Sequence, residues 1–197
     1  MMCPMFRALA AVALVGLVAL APRADAAPTK KKYHFELTAV TARAEVAPDI
    51  AAIAQPRIEG QVKKAFESHP QLVLALDGAP DPKTAADAYR KWLERKALAG
   101  SFLVTVEITE ASQTLEPMPD KPNSQRLVIH VGLHMLGETI PGRTMGFTGD
   151  GQATIKEEIG KKLRDKDRDY GWDQAAELAV ADAIKTSLEQ LDKPAKK

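Results

Sequence analysis

The pattern of apolar and polar positions sets most of the elements. In KKYHFELTAVTA, residues 31–42, Tyr33, Phe35, Leu37 and Ala39 share one side, and His34, Glu36 and Thr38 share the other. A period of two marks a half-buried strand. Ile50, Ile53, Ala54, Ile58, Val62, Ala65 and Phe66 then recur at helical spacing, interrupted by Pro56. Proline removes one helical hydrogen bond, so a kink, or a short helix followed by a longer one, is expected. LVLALD, residues 72–77, is a short apolar run between breakers and suits a buried strand. A helix follows through KTAADAYRKWLERKAL, with Asp81 as its cap, Pro82 at its first position and Gly100 as its stop.

Two longer alternating runs come next. Phe102, Val104, Val106 and Ile108 face inward in the first, with Thr105, Glu107 and Thr109 outward. Leu127, Ile129, Val131, Leu133 and Met135 face inward in the second, with His130, Gly132 and His134 outward. The segment EPMPDKPNSQ between them carries Pro117, Pro119 and Pro122, the signature of a long hairpin with an irregular tip. RTMGFTGDGQATI reads as a third strand. In the last segment Ala176, Ala179, Val180, Ala183, Ile184, Ser187, Leu188 and Leu191 make one helical stripe. The order is strand, helix, strand, helix, three strands, helix. It predicts one α+β domain over residues 33–191 in two layers. A mixed or mostly antiparallel sheet of about five strands would carry helices on one face and leave the other partly wet.

The chain starts with Arg7, an apolar run from Ala8 to Ala21, and Ala24-Asp25-Ala26. That is the layout of a secretory signal peptide cut after Ala26, and the run is shorter than the roughly 20 residues of a membrane span. Export to the periplasm or beyond is therefore expected, with residues 27–32 a basic tail and 192–197 a frayed end. Cleavage removes the single cysteine, Cys3, so no disulfide and no thiol chemistry is expected. The chain has 27 basic and 26 acidic residues; the leader takes two of the former and one of the latter, leaving no net charge. A neutral domain has no overall field to draw nucleic acid or an anionic membrane.

The elements RIEGQVKKAF before LVLALD, the hairpin strands, GDGQATI and the alanine-rich AAELAVADAIKTSL resemble the exported α/β domains related to the TolB amino-terminal domain and the curli-assembly lipoproteins. That resemblance spans residues 33–191 and implies a non-catalytic role in envelope assembly through protein contacts. The relatives are often lipid-anchored, and this chain has no cysteine placed for such an anchor.

Candidate chemistry is sparse. DKDRDYGWD spaces Asp165, Asp167, Asp169 and Asp173 like the first ligands of a calcium loop. Its glycine falls one residue late at Gly171, and the twelfth position is Ala176. Acids gathered at the positive end of the last helix are the expected meaning, and a calcium-responsive module is the alternative. His130 and His134 lie on one side of one strand, about 13 Å apart along it, too far to share a metal ion. A hydrolytic site there would need His34, Glu36 or Glu107 from neighbouring strands; solvated sheet-face histidines are the plainer expectation. No Gly-x-Ser-x-Gly or phosphate-loop pattern occurs, and no cofactor is expected. Trp92 and Trp172 read as packing residues. The hairpin tip, with Pro117, Met118, Pro119 and Pro122, is the expected contact surface for an unidentified envelope protein, because proline lowers the entropy lost when a loop is ordered.

Overall fold

Eight elements follow one another in the computed structural model, described here for residues 30–193: β1 Lys32–Ala42, α1 Pro48–Ser68, β2 Leu72–Val73, α2 Ala86–Arg95, β3 Leu98–Pro117, β4 Ser124–Thr139, β5 Met145–Gly160 and α3 Asp165–Asp192. The leader and its cleavage site, and residues 194–197, lie outside the described residues. The five strands form one mixed sheet in the order β2-β1-β3-β4-β5. β1 runs parallel to β2 and β3, and β3, β4 and β5 form an antiparallel meander. This is the α+β fold with a mixed five-stranded sheet that the pattern predicts, with α1 and α3 on one face and α2, against expectation, on the other.

The core follows the alternation, except that a bulge after Leu37 in β1 turns Val40 and Ala42 inward in place of Ala39. Phe35, Val104, Val106, Ile108, Ile129, Val131, Met135 and Phe147 are buried beneath α1 and α3. Phe147 stacks on Phe35 at 4.9 Å between ring centres and meets Phe102 edge-on at 5.2 Å. Such pairs add about 0.5–1.5 kcal/mol beyond the area they bury. From α1 come Ala54, Ile58, Val62 and Phe66. That stripe holds α1 as one helix through Pro56, so of the two expected outcomes the split into a short and a longer helix does not occur; one lost backbone bond weighs less than the apolar face buried on both sides of it.

α3 lies close against β5. A Cβ on Gly149 or Gly151 would come within 2.0 or 2.1 Å of Ser187 Oγ and the Ala179 carbonyl. These glycines are therefore packing residues, required by the approach of a helix and not by a turn. The same approach lets α3 cover half of the β5 edge. Gln190 Oε1 accepts from the Thr148 amide at 2.7 Å, Thr186 Oγ1 donates to the Asp150 carbonyl at 2.8 Å, and Asp182 accepts from the Gln152 amide at 3.3 Å. An open strand edge invites unwanted pairing, and here helical side chains occupy it.

α2 stands apart from the main core. Tyr89, Trp92 and Leu93 pack with Leu98 in a small second cluster, joined by Val73, Leu76, Ala79 and Ile140. Tyr89 bonds Ser101, which alternates with the inward Phe102, so α2 covers a corner of the sheet face opposite to α1 and α3. Its ends differ from the expected ones. Asp81 accepts from the Lys83 amide and the Thr84 hydroxyl, making a turn five residues before the helix. The chain leaves α2 through Ala97, whose φ is 54°, and Gly100 already lies in β3. Of LVLALD only Leu72 and Val73 pair as strand, and Leu74 is 41% exposed. Among the described residues no helix is long and apolar enough to cross a membrane.

Candidate functional site

The outer face of the β3-β4-β5 meander carries His130 and His134, as the alternation requires. Register places Thr154 beside His130 and Asp150 beside His134 on β5. His130 Nδ1 lies 2.9 Å from Thr154 Oγ1 and its Nε2 lies 3.1 Å from Glu110 Oε2. His134 Nδ1 lies 2.6 Å from Asp150 Oδ1. Each histidine has its own carboxylate, and the two pairs do not meet. Glu107 turns to Arg43 at 2.9 Å instead of joining them. A cleft of about 240 Å³ lies over Gly132 between the pairs, rimmed by Glu110, His130, Asp150 and Asp182. Among the described residues no three His, Cys, Asp or Glu side chains converge in a way that would hold a metal ion.

His34 does not share this setting. The alternation puts it on the same polar face, but α2 covers that end of the sheet, and His34 is 5% exposed. Its Nδ1 lies 2.7 Å from Ser101 Oγ and its Nε2 3.2 Å from the Leu74 carbonyl. A serine beside a histidine invites a nucleophile reading. The geometry opposes it: Ser101 is 2% exposed, its oxygen also accepts from Tyr89 at 2.8 Å, and the second ring nitrogen faces a backbone carbonyl where a triad has a carboxylate. Burial holds the imidazole below its ordinary pKa against the Leu74 carbonyl and Glu36, which favour the charged form. No residue spacing in the sequence could have joined positions 34, 89 and 101. They meet because β1 and β3 pair in register and α2 folds over both.

The aspartate run lies in the first turns of α3. Asp165 pairs with Arg168, Asp167 with Arg164, and Asp169 and Asp173 with Arg57 from α1. Arg164 meets both Asp167 oxygens, and these hydrogen bonds hold that carboxyl below its ordinary pKa. A calcium loop curls its chain round the ion, whereas a helix turns the aspartates to different neighbours. The expected contact tip is built of hydrogen-bonded turns. Pro117 is the last residue of β3 and pairs with Gln125. The Lys121 amide donates to the Met118 carbonyl, the Ser124 amide to that of Lys121, and the Lys121 side chain reaches Glu158 on β5. Pro119 and Pro122 lie in these turns and Met118 is half-buried.

An apolar hollow lies at β1, which the alternation marks only as a half-buried strand. β2 pairs only with Tyr33 and His34, so from Phe35 to Ala42 one edge of β1 has no neighbouring strand among the described residues. Gln55 of α1 reaches the Val40 carbonyl at 3.1 Å. Over the outer sheet face next to β1, and reaching across β3 to the β4–β5 connection, runs a groove of about 780 Å³ whose walls include Leu37, Leu103, Ile140 and Pro141, with Glu36, Lys83 and Arg143 at its rim. The sequence carried no signal for it: LVLALD reads as a six-residue strand, and the mismatch of an eleven-residue β1 with a two-residue β2 exists only once the strands are paired.

No protein-family model matches the chain, and no curated protein matches it. Solved structures show a low-level likeness. A minor lipoprotein from Acinetobacter baumannii is 11% identical over 81% of this chain and 92% of its own, with a TM-score of 0.38. Rare lipoprotein B from Shewanella oneidensis is 9% identical over 79% and 97%, with a TM-score of 0.40. A homolog of the neuraminyllactose-binding hemagglutinin from Helicobacter pylori is 10% identical over 80% and 82%, with a TM-score of 0.44. Likeness at this level does not confirm the resemblance to the TolB amino-terminal domain or the curli-assembly lipoproteins, and it carries no argument about function.

Proposed function

We propose that the protein is an exported, non-catalytic binding accessory of the cell envelope, and that it takes an extended segment of a protein partner along β1. The leader sequence supports export. The observation that carries the binding reading is the edge of β1 left without a neighbouring strand among the described residues, together with the apolar groove over the sheet face that β1 shares with β3. Exposed strand backbone offers donors and acceptors to an added strand, and pockets beside it select alternate side chains. The other open edges are poorer hosts. The near half of β5 is filled by α3 side chains, and its far half presents Lys156 and Glu158. The free end of β3 carries Glu110, Glu116 and Pro117, and both charge and proline discourage pairing. The rim of the groove, with Lys83 and Arg143 against Glu36, suits a segment carrying an acidic residue next to its apolar ones. On this reading the outer-face histidines are solvated structural pairs and the protein needs no cofactor.

Selection of random heptapeptides on the purified protein tests the reading. It predicts enriched sequences with apolar residues at alternating positions, whose binding falls at least tenfold in Leu103→Asp, since a buried carboxylate in that wall removes the apolar contact. Enriched peptides that bind the variant equally well, or that are displaced only by changes in the 118–123 tip, would overturn it.

A further inference from the structure

The corner under α2 holds one directed chain of hydrogen bonds. The Leu74 carbonyl can only accept, so His34 Nε2 carries the ring proton and Nδ1 is the acceptor. The Ser101 hydroxyl then donates to Nδ1 at 2.7 Å and accepts from Tyr89 Oη at 2.8 Å. All three side chains are at most 5% exposed. The chain ties four pieces together: α2 through Tyr89, β3 through Ser101, β1 through His34 and the segment after β2 through Leu74.

A second proton on the imidazole breaks this order. Nδ1–H would face the Ser101 hydrogen, Ser101 would have to turn its donor toward Tyr89, and the Tyr89 hydrogen would be driven off its acceptor. We propose that His34 is an acid-sensitive latch: its protonation frees α2 and the segment joining it to β2 from the sheet while the main core stays folded. The opening is local because Tyr89, Trp92, Leu93 and Leu98 form a cluster separate from the core under α1 and α3. The groups that face the ring are few. α2 offers Tyr89, β3 offers Ser101, the segment after β2 offers the Leu74 carbonyl, and β1 offers the exposed carboxylate of Glu36, two residues along the same face.

The direction of the effect follows from linkage. Burial lowers the His34 pKa in the closed corner, against the smaller opposing effects of the Leu74 carbonyl and Glu36. Above the ordinary histidine value of about 6.5 the ring is neutral whether the corner is open or closed, and the latch holds in full. As pH falls below that value the open corner binds the proton more readily, and closure weakens until the closed-state pKa is passed. The latch also reaches the groove. Ile140 packs on the α2 cluster, its amide donates to the Ser101 carbonyl at 2.8 Å, and it lines the groove with Pro82 and Lys83. Release of a bound segment in acid is the consequence; it rests on the groove reading, whereas the latch itself does not.

Hydrogen exchange of the intact protein, corrected for intrinsic rates, tests the latch between pH 7.5 and 5. Residues 86–98 should lose protection about tenfold or more, while residues 127–135 and 172–188 keep theirs. His34→Gln retains a donor for Leu74 and cannot titrate, so its corner should respond no more than the rest of the domain. Tyr89→Phe should be looser several-fold at both pH values. A wild-type corner that stays protected at pH 5, or an equal acid response in His34→Gln, would overturn the latch; the second result would shift attention to His69 in the α1–β2 connection. If His34→Gln fails to fold, the wild-type imidazole is titrated by NMR, and titration without matching shifts in α2 is equally fatal. The groove consequence is read apart, from binding of a selected heptapeptide at pH 7.5 and 5. Unchanged peptide binding with a loosened corner defeats that consequence and leaves the latch standing.

Discussion

His34 and the pair His130 and His134 sit on the same face of one sheet, yet in opposite settings. The meander bearing His130 and His134 leaves that face open, and each ring meets an exposed carboxylate across the strands. At the other end α2 roofs the face, and His34 lies in a closed network without an ion pair. The difference teaches that alternation assigns a side chain to a face but says nothing of what covers the face. It also divides the molecule by stability. The meander is clamped by α3, whose Ala175, Ala176, Ala179 and Ala183 are fully packed, with Trp172 anchored to Gln113 at 2.8 Å. The corner rests on four buried apolar residues and one hydrogen-bond chain.

The largest effect that would sharpen this contrast is at the clamp. Gly151→Val places side-chain atoms on the backbone of α3, and neither a rotamer nor a small shift relieves a contact at 2.1 Å with a carbonyl. We expect a loss of about 3 kcal/mol or more, or no folded protein, read from a denaturant transition. A variant within 1 kcal/mol of wild type would show that α3 is not the clamp. The corner responds in the opposite sense. Ala97 adopts a left-handed conformation that strains any residue with a Cβ, so Ala97→Gly should stabilise the fold by about 1 kcal/mol. Much of this gain should appear as slower exchange in α2, and a loss of stability would break the account of how that helix ends. The smallest effect is expected at the open face. His134→Gln removes one exposed side-chain contact with Asp150 and should change stability by less than about 0.5 kcal/mol at pH 7. A loss of several kcal/mol there would mean that the outer face has a cover in solution and that the two ends of the sheet are alike.

Most of the fold is legible in the sequence because alternation and helical spacing report one physical fact, which side of an element is apolar. Phe102 to Ile108 and Leu127 to Met135 are buried at the positions the pattern marks. Pairing is another matter. The short β2, the roof that α2 makes over His34, and the meeting of Ser101 with Tyr89 depend on register and on contacts distant in the chain. The GDG of β5 was visible within a strand, but its role emerges only when α3 is seen against it. The prolines of the tip marked an irregular loop, while Pro117 nonetheless ends a strand, since an end position can spare its missing amide donor. The groove was hidden for the same reason as the corner: a free edge is a property of the neighbours that a strand lacks.

The most direct test of the central claim is residue-resolved amide protection of β1 on binding a selected heptapeptide. Strand addition to the free edge predicts that protection rises within residues 35–42, on the amides that point away from β3, and that residues 118–123 and the outer face of the meander are unaffected. Protection that appears at the tip instead, or binding that leaves all β1 amides unchanged, would contradict the account.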